Sequence, residues 1–137
     1  MSFVLDNSVA LTWCFEDERT PATAALLVQV GESGALAPGL WPLEALNGLL
    51  IAERRGRLDA PRRRRLPGFL RALPIKLDDE TANQARTTTL RLAERFALSA
   101  YDAAYLELAQ RQRLPHASRD QDLRAAAGAL GLEVLGS

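Results

Sequence analysis

Short apolar runs alternate along the chain with longer stretches in which apolar residues return every three to four positions, a pattern that predicts strands separated by helices. Ser2 to Leu5 is apolar and stops abruptly at Asp6, which predicts a buried parallel strand opening the fold. Ser8 is placed to cap the helical segment after it. Val9 to Phe15 and Pro21 to Val30 carry helical patterning, broken by the charged stretch Glu16 to Arg19. Ala35 to Ala37 predicts a second strand, closed by Pro38-Gly39. From Leu40 to Arg55, the residues Leu43, Leu46, Leu50 and Ile51 recur at helical spacing, and Gly56 marks the stop. Asp59-Ala60-Pro61 reads as the N-cap and first turn of another helix, which Pro67-Gly68 interrupts or kinks. Pro74 to Leu77 is the third strand. Glu80 to Phe96 and Ser99 to Arg113 predict two helices, the second capped by Ser99 with Asp102 at the N3 position of a capping-box-like arrangement. Leu114 to Ser118 is the fourth strand, Asp122 to Leu130 a last helix ending at Gly131, and Leu132 to Leu135 a fifth strand.

Strands alternating with helices imply the α/β class, here an α/β/α sandwich around a short central parallel sheet of four to five strands joined by right-handed crossovers. With 137 residues, 47% of them hydrophobic, the chain has the size and apolar content of one domain, 1–137, and shows no repeat, linker or low-complexity tail. Lys+Arg and Asp+Glu balance at 17 each, so any electrostatic recognition has to be local. The compositional outlier is Arg62-Arg63-Arg64-Arg65, either a solvated helix face or an RNA-contacting patch. The single cysteine, Cys14, excludes an internal disulfide and a Cys-based zinc site and suits a reducing cytoplasm; with Trp13 it is expected in the core. The N-terminus lacks a basic segment ahead of an apolar stretch, and no apolar run approaches the ~20 residues a membrane helix requires. Neither export nor membrane insertion is expected.

Ligands of open α/β sheets bind beyond the carboxyl ends of the strands, and four acids are placed for that position. Asp6 directly follows the first strand. Glu44 lies in the first turns of the helix after the second, Asp102 in the first turn of the helix before the fourth, and Asp120 two residues after Ser118. Collecting carboxylates costs free energy through like-charge repulsion, and only the fourth motif, at Arg119, contains a Lys or Arg that could offset it. A divalent cation would. Hard oxygen ligands favour Mg2+, with Mn2+ as a substitute, and the lone histidine, His116, leaves no His set for zinc or non-haem iron. Such a site can polarise a phosphodiester, lower the pKa of a bound water and stabilise charge during in-line displacement, so phosphodiester hydrolysis is the chemistry that fits.

Four blocks then carry a family resemblance. Val4-Leu5-Asp6-Asn7-Ser8-Val9-Ala10-Leu11-Thr12-Trp13, with Glu18 shortly after, resembles the opening of VapC-type PIN domains, where an acid is followed two residues later by Ser. Pro38 to Asn47 is similar to the family's second block, with Glu44 and then Asn47 three residues on. Ser99 to Ala109 resembles the third block around Asp102, and Ala117 to Leu123 the fourth, with Ser118 where the family more often has Thr. The blocks span essentially the whole chain in order. The resemblance implies that Asp6, Glu44, Asp102 and Asp120 bind metal, and that Ser8 and Ser118 orient those acids or a bound water. It further implies a metal-dependent endoribonuclease, the toxin of a toxin-antitoxin pair that inhibits translation, with an RNA substrate, a cognate antitoxin protein and self-association into a homodimer.

Each residue has a competing structural role. Asp6 can cap the first helix, Glu44 can serve the helix dipole, and Asp102 can be only the reciprocal partner of Ser99. Asp122 competes with Asp120 for the fourth position, the other then capping the last helix. Asn47 is a group turned toward Glu44 or an ordinary helix residue, and His116 is expected as a hydrogen-bonded core or rim residue. A phosphoaspartyl transferase of the haloacid dehalogenase type also begins with an aspartate after its first strand, but it needs a second Asp where this chain has Ser8. The non-enzymatic alternative is a catalytically silent PIN-like module that binds RNA or protein; the full acid set argues against it.

Overall fold

In the computed structural model, which describes residues 2–136, five short strands form one parallel sheet in the order β3-β2-β1-β4-β5. They are β1 (Val4–Leu5), β2 (Ala35–Pro38), β3 (Ile75–Asp78), β4 (His116–Ala117) and β5 (Val134–Leu135). The expected α/β sandwich with a parallel sheet flanked by helices is the observed fold, although β1, β4 and β5 are only two residues long, shorter than the runs that announced them. The chain builds outward from β1 through β2 to β3, then returns to the other side of β1 for β4 and β5. The switch in direction therefore falls beside β1, and its carboxyl end is where such sheets open a crevice.

The helices are α1 (Asn7–Ala10), α2 (Pro21–Ser33), α3 (Trp41–Arg54), α4 (Ala60–Ala72), α5 (Thr81–Gln84), α6 (Leu90–Phe96), α7 (Ala100–Gln112) and α8 (Gln121–Ala129). Side chains start several of them. Thr20 and Thr23 form a reciprocal capping box at α2, Asp59 Oδ1 accepts from the Arg62 amide at 2.8 Å, and Ser99 Oγ accepts from the Asp102 amide at 3.1 Å. Gly34 ends α2 at φ 74°, and a Cβ there would stand 3.0 Å from the Pro74 carbonyl, so only glycine lets the chain turn into β2.

Three local expectations are corrected. The segment after Asp6 is not one helix: α1 tightens into 3-10 turns at Leu11–Cys14 and Glu16–Glu18, and Ser8 lies inside α1 rather than capping it. α4 runs through Pro67 without interruption. The stretch expected as a single helix from Glu80 to Phe96 contains a π turn at Ala85–Thr89, where three consecutive threonines strain the α-helix and Thr87 Oγ1 bonds back to the Gln84 carbonyl at 3.4 Å.

α7 is the central support, packing against β1, β2 and β4 with Leu106, Leu108 and Tyr105 fully buried. Trp13 and Cys14 are in the core as expected. His116 is also buried, but both ring nitrogens lack a hydrogen-bond partner, unlike the bonded histidine anticipated. Burial and the nearby Arg124 charge push its pKa down to about 4. Among the described residues no helix is long and apolar enough to cross a membrane.

Candidate active site

Asp6 leaves the carboxyl end of β1 as a nearly inaccessible carboxylate, 4% exposed. It stands at the N-cap position of α1 but makes no capping bond there, so capping does not account for it. Its Oδ2 instead accepts from Ser8 Oγ at 2.6 Å and from Ser118 Oγ at 2.9 Å. Each hydroxyl is itself held by a backbone amide of the loop after β4: Arg119 N–H donates to Ser8 Oγ at 2.9 Å, and Asp120 N–H to Ser118 Oγ at 3.1 Å. Two parallel relays thus run from consecutive amides through two serines to one oxygen. Arg124 steadies the loop by donating from Nη1 to the carbonyls of Ser118 at 2.7 Å and Leu135 at 2.9 Å.

Glu44, in the first turn of α3, accepts a hydrogen bond on Oε1 from the hydroxyl of Tyr105 at 2.9 Å. Asn7 Nδ2 reaches the Glu44 carbonyl at 3.5 Å and ties α1 to α3. Neither partner is marked by the sequence pattern; Tyr105 reads as core, although its position three residues after Asp102 puts both on one face of α7. Asn47 is exposed and does not attend Glu44. Asp102 sits in the first turn of α7 beyond the Ser99 cap. Asp120 is the N-cap of α8, its Oδ1 accepting from the Leu123 amide at 3.0 Å, so it and not Asp122 starts that helix. Asp122 occupies the first turn instead.

Burial lifts the pKa of Asp6, Glu44 and Asp102 above their ordinary values, and mutual repulsion adds to it: Asp120 acts on Asp6, Asp6 and Asp102 on Glu44, and Asp6, Asp120 and Asp122 on Asp102. Hydrogen bonds from the serines, Tyr105 and Ser99 offset only part of this. No lysine or arginine figures among the groups that act on these three acids. Elsewhere the chain does neutralise an acid. Asp78 at the end of β3 meets Arg111 at 2.7 Å, and despite its burial the guanidinium holds its carboxyl below the usual range. Asp6 and Asp102 thus lie within electrostatic reach of both Glu44 and Asp120, with no lysine or arginine among the groups that raise these acids. Among the described residues no three His, Cys, Asp or Glu side chains form a group that could hold a metal ion by itself. Mg2+ does not need one, because it commonly binds through one or two carboxylates and keeps several waters. The donor set, oxygen throughout and short of positive charge, fits that ion.

The PIN domain family model matches residues 3–129, and the chain belongs to the PIN domain family. PIN domains are generally nucleases. Among solved structures, the crystal structure of PAE2754 from Pyrobaculum aerophilum is similar, with a TM-score of 0.70 and 24% identity over 98% of this chain and 83% of that one, a likeness of fold. No curated protein matches the chain in sequence.

Proposed function

We propose that this chain is a Mg2+-dependent endoribonuclease, with Asp6, Glu44, Asp102 and Asp120 holding the metal and Ser8 and Ser118 orienting Asp6. The observation that carries the reading is the contrast between Asp78, neutralised by Arg111, and the site acids, which gather at the sheet's switch point with no basic partner. Of the four, Asp6 is buried, Glu44 and Asp102 are half-buried and Asp120 is exposed; withdrawing carboxylates from water without a basic partner is costly, and such groups are retained where they have work to do.

A divalent ion bound here supplies charge stabilisation for the phosphodiester and acidifies an attacking water. The protein's part is placement. The two serine hydroxyls occupy Oδ2 of Asp6 and fix the carboxylate plane. Tyr105 does the same for Glu44 through Oε1. Asp120 spends Oδ1 on the α8 cap, which fixes the orientation of its other oxygen. The biological role that accompanies the resemblance is a cytoplasmic toxin that stops translation, working as a homodimer and restrained by a cognate antitoxin.

The test is hydrolysis of single-stranded and structured RNA by the purified chain with Mg2+ or Mn2+. Cleavage that chelator abolishes and added metal restores supports the reading. RNA binding with no cleavage under any divalent ion favours the silent module.

A further inference from the structure

The arginine run does not act as a block. Arg63 Nε pairs with Glu53 Oε1 at 3.1 Å, and Arg64 is simply exposed. Arg62 and Arg65 instead turn toward a cavity of about 510 Å3 that Arg19 also lines, against apolar walls that include Trp13 and Phe69. Two of the three guanidiniums are anchored by backbone carbonyls: Arg19 Nη2 donates to the Trp13 carbonyl at 2.9 Å, and Arg62 Nη2 to the Cys14 carbonyl at 3.4 Å. A carbonyl fixes a guanidinium in place while leaving its full charge. Glu16 is the one acid lining the cavity, so its walls keep an excess of positive charge in a chain whose total is zero.

The cavity is joined to the acids from two directions. Trp13 and Cys14 continue the helical segment that begins after Asp6, and its four α-helical and four 3-10 residues span about 14 Å. Arg119, beside Asp120, donates from Nη1 to the Glu18 carbonyl at 3.2 Å, next to Arg19. An extended strand with its scissile bond at the acids can therefore reach the arginines within a few nucleotides. Phe69, 37% exposed, offers a ring on which a base can stack.

We propose that this cavity is a second RNA subsite, in which Arg19, Arg62 and Arg65 hold a backbone phosphate of the strand being cut, away from the point of cleavage. The inference rests on the ribonuclease reading. The subsite sets affinity and register, whereas the acids set the rate of hydrolysis.

The experiment measures binding of a single-stranded RNA oligonucleotide by fluorescence anisotropy over a range of salt, in chelator, which withholds the metal that cleavage requires. The double variant Arg62→Gln/Arg65→Gln is expected to bind more weakly, with the log-log salt slope reduced by about 0.7 per lost contact. Phe69→Leu is expected to weaken binding at unchanged slope, and Arg64→Gln to leave both unchanged. Thermal melts of all three establish that each is folded. An unchanged slope in the folded double variant overturns the proposal. So does a loss of poly-glutamate peptide binding while RNA binding stays intact, which assigns the cavity to an acidic protein partner. Because neither metal nor cleavage enters the measurement, it fails independently of the catalytic reading: a chain that never cuts RNA can still show the arginine effect, and the reverse.

Discussion

Ser118 Oγ donates to Asp6 Oδ2 at 2.9 Å, joining residues 112 positions apart at the ends of adjacent parallel strands. That bond and its twin from Ser8 lock the most buried acid of the site to the loop that carries Asp120. Position at one edge of the site is thereby coupled to position at the other. Ser118→Ala and Ser8→Ala are each expected to lower metal affinity or turnover by roughly 10–100-fold, the usual cost of losing a group that orients a ligand. Ser118→Thr, which keeps the hydroxyl, should stay within a few-fold. Isothermal titration with Mn2+ on folded variants checks this.

Tyr105→Phe removes the hydroxyl that meets Glu44 Oε1 and keeps the ring that fills the core beneath α3. Mn2+ affinity is expected to fall by roughly 10–100-fold, while the metal-free melting temperature changes little. A large drop in metal-free stability with unchanged Mn2+ affinity would make the bond purely structural.

Asp120 and Asp122 separate cleanly. Asp120→Asn keeps a side chain able to cap α8, so folding should be retained while metal-dependent cleavage falls by orders of magnitude. Asp120→Ala should add a stability loss of about 1 kcal/mol from the missing cap. Asp122→Asn should remain active. Cleavage at saturating Mn2+ together with urea melts distinguishes the three.

Metal and pH effects have definite signs. Asp6 has a folded-state pKa above its ordinary 3.8, so its charged form weakens the fold. That penalty is absent below the ordinary value and grows as pH rises through the folded one. In chelator at pH 7, Asp6→Asn should therefore melt higher than wild type, and the advantage should fade toward pH 4. Millimolar Mg2+ should raise the wild-type melting temperature more than that of Asp6→Asn. His116 acts oppositely. Its folded pKa near 4 lies below the unfolded 6.5, so its contribution is present above 6.5 and is lost as pH falls toward 4, by roughly 3 kcal/mol over that window. His116→Leu should flatten the acid limb of a stability-against-pH curve.

The alternation of apolar runs with helical periodicity is enough to read the five strands and most of the helices, and to place four acids at a strand end or in the first turn or cap of a helix. What the sequence conceals is competition between roles. Ser-x-Asp at Ser118 and Asp120 reads as a metal motif, and nothing local reveals that Asp120 also caps α8. Tyr105 looks like any core aromatic until the fold brings Glu44 to its hydroxyl from 61 residues away. The four arginines look equivalent until Glu53 claims one and the cavity two others. The threonine triplet within Ala85–Thr89 is a visible helix strain whose outcome, a π turn, depends on packing against α7.

Whether the unneutralised acids hydrolyse RNA through a divalent ion is decided by single-turnover cleavage at saturating Mn2+ with Asp6→Asn and Glu44→Gln beside the wild-type chain. Metal-dependent cleavage by the wild type is expected, with losses in both folded variants greater than the roughly 10–100-fold that outer partners cause. Cleavage by either folded variant at close to the wild-type rate would contradict that assignment.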